Sequence, residues 1–355
     1  MNSDNKAVIT PVTQNDDYGA VRNGGAGLSN LSSRGRIKVS GSEAVMFLNG
    51  LITNDMKTLD ANTWMLAAFP NVQGRLIAVV RVARLEDEAS SPQFLLDTED
   101  TTHDRVLKAI ERFTLAGDFK VVDVTSESSL LTIQGKRSAE IIQSVLEVDV
   151  NSLSSNGILN STINGDPLTI LHATHTGEDG FDLITSSQSA SSLEASLIQA
   201  GARQIEAETL ETLRIEAGVP KFAIDMDDTN VVSETNLDEA ISFTKGCYIG
   251  QEIIARIKYR GHVAKKLTGL LFDTNAQVDV ASPIKFAGKE AGRVTSVTYS
   301  PSLERSIALA YVRYERSEPG TRVTVVTGDR EIEATVHELP FVRGSWYSER
   351  VMTNV

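Results

Sequence analysis

Apolar positions along this chain recur with two different spacings, and the switches between them mark out the elements. Residues 37–40 alternate as a short strand, and Ser42 stands where it can cap a helix over 43–51 whose Val45, Leu48 and Leu51 fall near one face. Residues 64–69 and 75–85 are rich in apolar and β-branched side chains, and Pro70-Asn71-Val72-Gln73-Gly74 between them is turn chemistry, so the pair predicts a hairpin. A helix from about Thr102 sets Val106, Ile110 and Phe113 at i, i+4 and i+7, with strands expected over 119–124 and 130–133. Ile141, Ile142, Val145 and Leu146 belong to a further helix. Short strands at 168–171 and 181–184 flank the loop from His175 to Gly180. The helix from Ala207 carries Leu210, Leu213 and Ala217 on one stripe and stops at Gly218-Val219-Pro220.

Beyond Ala264 the texture changes. Apolar runs at 267–272, 284–286, 292–298, 307–312, 323–326 and 332–339 alternate with Asn, Asp, Ser, Pro and Gly turns, the pattern of a compact all-β module. Three regions follow: a polar, Gly-rich and flexible segment over 1–27, an α+β body over 28–262, and a small β-barrel over 263–355. The cluster Asn23-Gly24-Gly25-Ala26-Gly27 is not a dinucleotide fingerprint, because no apolar strand precedes it to aim its backbone at a pyrophosphate.

Composition narrows the function classes. A net charge of -13 argues against broad binding to nucleic acid or an anionic membrane, since such partners need a basic footprint. The single cysteine permits no intramolecular disulfide and no Cys-rich zinc or iron-sulfur cage within one chain, and it fits a reducing compartment. No apolar run approaches the length of a membrane span, and residues 1–30 resemble neither a secretory signal nor a transit peptide, so the expected location is the cytoplasm.

Candidate chemistry concentrates between Phe243 and Gly261. Gly246 and Gly250 allow close backbone approach or positive φ, while Gln251 and Glu252 offer donor and acceptor atoms to a polar ring edge. Cys247 stands two residues from Lys245; a lone cysteine is either a small packing residue or a thiol whose anion nearby cations stabilise. Arg256, Lys258 and Arg260 alternate with Ile257 and Tyr259, so an extended strand there would show three cations on one face. That face is either solvated or an anion groove for a polyglutamyl tail, RNA phosphate or an acidic partner. His172 and His175 are too few for a metal site, and Glu178, Asp179 and Asp182 cluster near a tight turn.

Taken together these residues resemble the YgfZ/GcvT superfamily, which joins the glycine-cleavage T-protein, an aminomethyltransferase, to the YgfZ-like folate-binding proteins. The resemblance is carried by Leu31-Ser-Ser-Arg-Gly-Arg-Ile-Lys-Val-Ser-Gly41, Phe47-Leu-Asn-Gly-Leu-Ile-Thr-Asn-Asp55, Thr176-Gly-Glu-Asp-Gly-Phe-Asp182 and Leu213-Arg-Ile-Glu-Ala-Gly-Val-Pro220. Val294-Thr-Ser296, Ile307-Ala-Leu-Ala-Tyr-Val312 and Leu339-Pro-Phe341 extend it to the end of the chain. Lys245-Gly-Cys-Tyr-Ile-Gly-Gln-Glu252 is similar to the signature of the YgfZ-like branch. The resemblance implies two interwoven α+β subdomains forming a folate-binding ring, followed by the barrel, with tetrahydrofolate or a derivative as cofactor.

Carried over residue by residue, the resemblance implies a cofactor site of Asp182, Glu178, Tyr248, Gln251 and Glu252, and a reactive thiol, Cys247, beside Lys245. The T-protein's catalytic aspartate pair falls here on Ile77 and Ala78, which cannot manage a proton, and its arginine upstream of Leu-Arg-x-Glu-Ala-Gly falls on Leu210. The expectation is therefore a folate-binding accessory protein for assembly or repair of iron-sulfur enzymes, tRNA-modifying ones included, with those enzymes or their assembly factors as partners. Two other classes compete with it: a folate-dependent aminomethyl or one-carbon transferase or demethylase, and a non-enzymatic RNA or protein adaptor using the basic segment 256–266.

Overall fold

The structure, a computed structural model, describes residues 16–88, 91–112 and 117–350. In chain order the first half contains α1 (Asp16–Arg22), β1 (Gly27–Asn30), β2 (Gly35–Ser40), α2 (Ala44–Leu51), β3 (Thr63–Pro70), β4 (Leu76–Arg84), β5 (Gln93–Thr98), α3 (Asp100–Glu111), β6 (Lys120–Asp123) and β7 (Ser128–Gln134). Next come α4 (Ser138–Leu146), β8 (Ile158–Ile163), β9 (Asp166–His172), β10 (Gly180–Ser186), α5 (Ala190–Gln199), β11 (Arg203–Gln204), α6 (Ala207–Glu216) and α7 (Gln251–Arg260). The last part is β12 (Lys265–Phe272), β13 (Pro283–Phe286), β14 (Lys289–Ser300), β15 (Arg305–Arg313), β16 (Arg322–Thr327), β17 (Arg330–His337) and α8 (Ser345–Arg350).

Two sheets form the body. One has the order β3-β4-β5-β2-β6 and the other β11-β1-β7-β10-β9-β8, so β1 leaves its neighbour in sequence to pair within the second sheet, and the two subdomains interlock as expected. Side chains alternate across each strand. On β3 and β4 the outward set, Ala67, Phe69, Ala78, Val80 and Val82, packs with Leu48 of α2 and with Val106 and Ile110 of α3. The outward set of the second sheet, Leu131, Ile133, Phe181 and Leu183, packs against α4 and α5. The inward sets meet in a smaller cluster of Ala83, Leu95, Leu130, Ile158, Leu171 and Ile184 flanked by Trp64, and the indole Nε1 donates to the His172 carbonyl at 2.9 Å. The result is helix, sheet, sheet, helix, with the facing sheets splaying apart beyond Trp64.

The third unit is a closed barrel of order β12-β15-β14-β13-β16-β17, beginning at Lys265, close to the boundary drawn at 263. Its attachment uses buried polar groups. Arg214 donates to Asp225 at 2.7 Å, and Asp225 accepts from Thr295 at 2.6 Å and Ser296 at 2.7 Å on β14. Glu216 accepts from Tyr18 at 2.7 Å, from Arg22 at 2.8 Å and from Ser300 at 2.5 Å. The Leu213-Arg-Ile-Glu motif thus ties α1, α6 and the barrel together.

Four expectations need correction. Residues 16–22, placed in a flexible segment, form α1 with Tyr18 and Val21 buried against Ile205 and Leu213; residues 1–15 lie outside the described residues, as does Phe113. Ser42 does not cap α2; its hydroxyl donates to Asp118 at 2.5 Å, and Glu43 occupies the cap position with its side chain accepting from the Asp118 amide at 2.6 Å instead of from the helix. Residues 256–260 are not a strand. They close helix α7, because the spacing that counts is that of Ile254, fully buried, and Ile257 one position short of a turn, while Lys258 and Arg260 complement the negative end of the helix dipole. Ile77 and Ala78 do not face the site. Phe69 pairs with Ala78 and Pro70 with Leu76, so Ile77 is a bulged extra residue that turns both side chains towards α2 and α3 and leaves Val79 facing inward.

Candidate functional site

Where the sheets splay, they enclose a cavity of about 420 Å³. Trp64 and Leu66 of β3 and Val79 and Arg81 of β4 form one wall, Thr174 and His175 the opposite one, and Leu339, Pro340, Trp346 and Tyr347 close it from the barrel side. An adjoining cavity of about 280 Å³ shares Arg34, Glu99, His175, Val219 and Pro220, so His175 stands where the two meet.

The polar centre behind this wall is Asp182, 0% exposed in the middle of β10. Arg81 donates to Oδ2 through Nη1, and His175 Nε2 lies 3.0 Å from both carboxylate oxygens. Burial alone would raise this carboxyl, yet His175 and Arg81 hold it well below the usual carboxylate range. The Arg81 guanidinium also stacks 4.7 Å from the Trp64 ring, and its Nε is buried with no hydrogen-bond partner. At the cavity's edge Arg34 binds Asp97 through Nε and Nη2 at 2.7 and 2.9 Å and Glu99 at 3.1 Å. Arg36, two residues on, is spent on the Arg34, Thr125 and Ser128 carbonyls and on the Ser128 hydroxyl.

The sequence-derived site residues do not assemble here. Both Asp182 oxygens are occupied by protein partners, so this side chain supports the wall instead of reaching into the cavity. Glu178 accepts from Arg22 at 2.9 Å and from the Ser345 amide and hydroxyl at 2.8 and 2.6 Å, which clamps α8 to α1. Tyr248, Gln251 and Glu252 lie outside both cavity walls, Tyr248 on the loop that enters α7 and the other two in its first turn. That loop packs on the β3–β4 turn and on α2: Ile249 donates to the Gly50 carbonyl at 3.1 Å.

Lys245 is buried and its ammonium donates to the carbonyls of Asn49, Ile52 and Asn54 at 2.8, 2.8 and 2.6 Å, capping the C-terminal end of α2. Burial pushes its pKa down to about 8, against the pull of Asp55. Cys247 is exposed, which removes the reading of a buried packing residue. Arg256, Lys258 and Arg260 are exposed on α7, where the helix points Lys258 away from the other two and over the Phe243 ring at 4.9 Å. Among the described residues no cluster of three or more metal-ligating side chains occurs, and no helix is long and apolar enough to cross a membrane.

Sequence reasoning missed Arg81, Arg34 and Glu99 altogether and weighed His175 only as a metal ligand. A signal for Arg81 was present: a lone cation inside the apolar run Val79-Val80-Arg81-Val82-Ala83 must find a buried partner. Nothing local named Asp182 as that partner.

Comparison with known proteins places this geometry. The GCVT N-terminal domain family matches residues 10–245, and the glycine cleavage T-protein C-terminal barrel domain family matches 265–343. An aminomethyltransferase of Symbiobacterium thermophilum is 30% identical over 338 residues, 92% of this chain and 89% of its own. One from Rubrobacter xylanophilus is 30% identical over 90% of this chain and 83% of its own. Among solved structures, the glycine cleavage system aminomethyltransferase T from Bartonella henselae superposes with a TM-score of 0.85 at 21% identity, covering 94% of this chain and 91% of that one, a likeness of fold.

Proposed function

This chain belongs to the glycine-cleavage T-protein family, and from that premise we propose that its central cavity takes tetrahydrofolate, the cofactor of aminomethyltransferases, for one-carbon transfer. The observation that carries this reading is the cavity wall itself. A pteridine is a flat ring with apolar faces and a polar edge; Trp64, Leu66 and Val79 offer an apolar surface, and Arg81, His175 and Glu239 put polar groups on the same lining. The volume is of the size that small-molecule sites have.

When bound, tetrahydrofolate would supply the ring nitrogens that carry a one-carbon unit. The protein's own groups bind and desolvate it: Trp64 and the residues from Leu339 to Pro340 exclude water, and Asp182 fixes Arg81 in the wall. No carboxylate stands on the inward face of β4, where Val79 and Arg81 occupy the reachable positions. Proton handling must come from another wall.

Calorimetry under anaerobic conditions tests the reading. At a tetrahydrofolate concentration 100 times Kd the protein should gain about 2.7 kcal/mol of stability, with a matching rise in Tm. Leu66→Trp, which fills the cavity, should lose both effects. Absence of binding heat and of any Tm rise with the wild-type protein would overturn the proposal.

A second reading, an accessory role for iron-sulfur enzymes, is supported by one observation: the thiol of Cys247 is exposed on a loop whose neighbours are otherwise engaged in packing. Cys247→Ser should then leave folate affinity intact and lower client enzyme activity in cells at matched protein abundance. Full client activity in that variant would remove this role.

A further inference from the structure

We propose that His175 is the proton-transfer residue of the cavity, presenting Nδ1 to the bound ligand while Asp182 and Arg81 fix its tautomer and orientation. The assignment rests on the folate reading above for the identity of the ligand; its geometry stands on the protein alone.

The argument starts from what a carboxylate does to an imidazole. Asp182 is ionised and accepts only, so His175 Nε2, 3.0 Å from both oxygens, must carry a hydrogen. That leaves Nδ1 with a lone pair in the neutral ring, and no side chain or backbone group among the described residues bonds to it. The main chain that carries the ring is fixed, because the His175 amide is held by Gln134 Oε1 at 3.0 Å, and β10 fixes the position of Asp182. Arg81, pinned to the same carboxylate, keeps Asp182 ionised when the imidazole becomes charged. Position agrees with chemistry, since His175 lines both cavities at their junction.

Nδ1 takes a proton from an N–H of the ligand, the electron pair staying on the ligand nitrogen. That electron pair then forms the bond to the one-carbon unit, the bond between the unit and its carrier breaks, the carrier leaves with the bonding pair, and the imidazolium, its Nε2–H still on Asp182, gives the proton from Nδ1 to the departing carrier. An inward carboxylate on β4 is then unnecessary. The charged and titratable groups around the ring are Asp182 on β10 and Arg81 on β4, Arg34 and Glu99 at the rim, Asp238, Glu239 and Tyr347 across the larger cavity, and Asp100, Glu211, Arg214 and Lys221 around the smaller one.

Two measurements test this. Nitrogen-15 chemical shifts of the imidazole in the ligand-free protein should show Nε2 protonated at every pH and Nδ1 alone titrating; Asp182→Asn, whose carbonyl and amide can bond either tautomer, should abolish that preference. Binding of tetrahydrofolate, followed by calorimetry between pH 5.5 and 8, should weaken about tenfold per pH unit once the imidazole is protonated, because the protonated Nδ1 no longer accepts. His175→Gln should show no such slope, whatever its affinity at pH 8. A wild-type ring protonated on Nδ1 in its neutral form, or the same slope in His175→Gln, overturns the assignment. If wild-type protein binds no tetrahydrofolate at all, the folate reading falls, and the tautomer measurement still decides the role of His175.

Discussion

Asp182 sits, fully buried, between one permanent cation and one switchable group. A buried ion pair adds little stability compared with apolar residues of the same volume, but removing one partner strands the other. Asp182→Ala should therefore cost about 3–5 kcal/mol in chemical unfolding, well beyond the loss of a single neutral hydrogen bond. A loss under about 1 kcal/mol would mean that Arg81 escapes to solvent and does not form the cavity wall. The pH dependence follows from the same depression. The folded carboxyl is held below its unfolded value, so the stability it contributes is complete above about pH 4 and disappears only as the pH falls further. In the His175→Gln background, where no imidazole faces the carboxylate, the difference between Asp182 and Asp182→Asn should be constant from pH 7 to 5 and shrink below 4. A difference that already shrinks at pH 6 in that background would mean that the group titrating is not this carboxyl.

Between residues and fold stands the segment from Lys245 to Glu252, whose two glycines look equivalent in sequence and are not. Gly250 has φ of 79°, and a Cβ there would run into the Asn71 carbonyl oxygen and Gly74 at the tip of the β3–β4 hairpin. Gly246 meets nothing within 4 Å. Gly250→Ala should accordingly lose about 1–3 kcal/mol from backbone strain, plus whatever the displaced hairpin loses, while Gly246→Ala should change stability by less than about 1 kcal/mol. Thermal unfolding of the two variants side by side reads the contrast. Equal losses would indicate that the loop does not hold this close approach. Lys245 completes the element: three carbonyls at the end of α2 bind its ammonium, so this part of the signature holds α2, the hairpin and α7 together.

For the whole molecule the joint between barrel and sheets is polar and buried. Glu216 gathers Tyr18 and Arg22 of α1 and Ser300 of the barrel, and the cavity is closed by Leu339 to Pro340 and by α8, which Glu178 holds through Ser345. Glu216→Leu leaves Arg22 with only Glu178 and should lower stability by about 3–5 kcal/mol, with loss of a single cooperative transition. Retention of one transition at wild-type stability would show that barrel and sheets are held mainly by the apolar contacts of Ile215, Leu267, Leu309 and Phe341.

Much of the element pattern was legible in the chain. The β3–β4 hairpin, the helices with Val106 and Ile110 and with Ile141 and Ile142, and the six barrel strands each carry a local period and local turn residues that decide them without outside help. Short-range pattern failed where two periods coincide over few residues, as in 256–260, and where one bulged residue reverses the faces of a strand, as at Ile77. It also failed for β1 and β11, short strands whose partners are distant in sequence, and for β8, an edge strand joined to β9 by the turn Asn164-Gly165. The site lay beyond its reach for a different reason. Arg81, His175 and Asp182 come from different strands and loops, and their chemistry exists only once two sheets face each other and exclude water between them. Sequence determined which residues could ionise, but only the tertiary structure decided which of them are spent on each other and which, like Arg81 Nε, still have a bond to give.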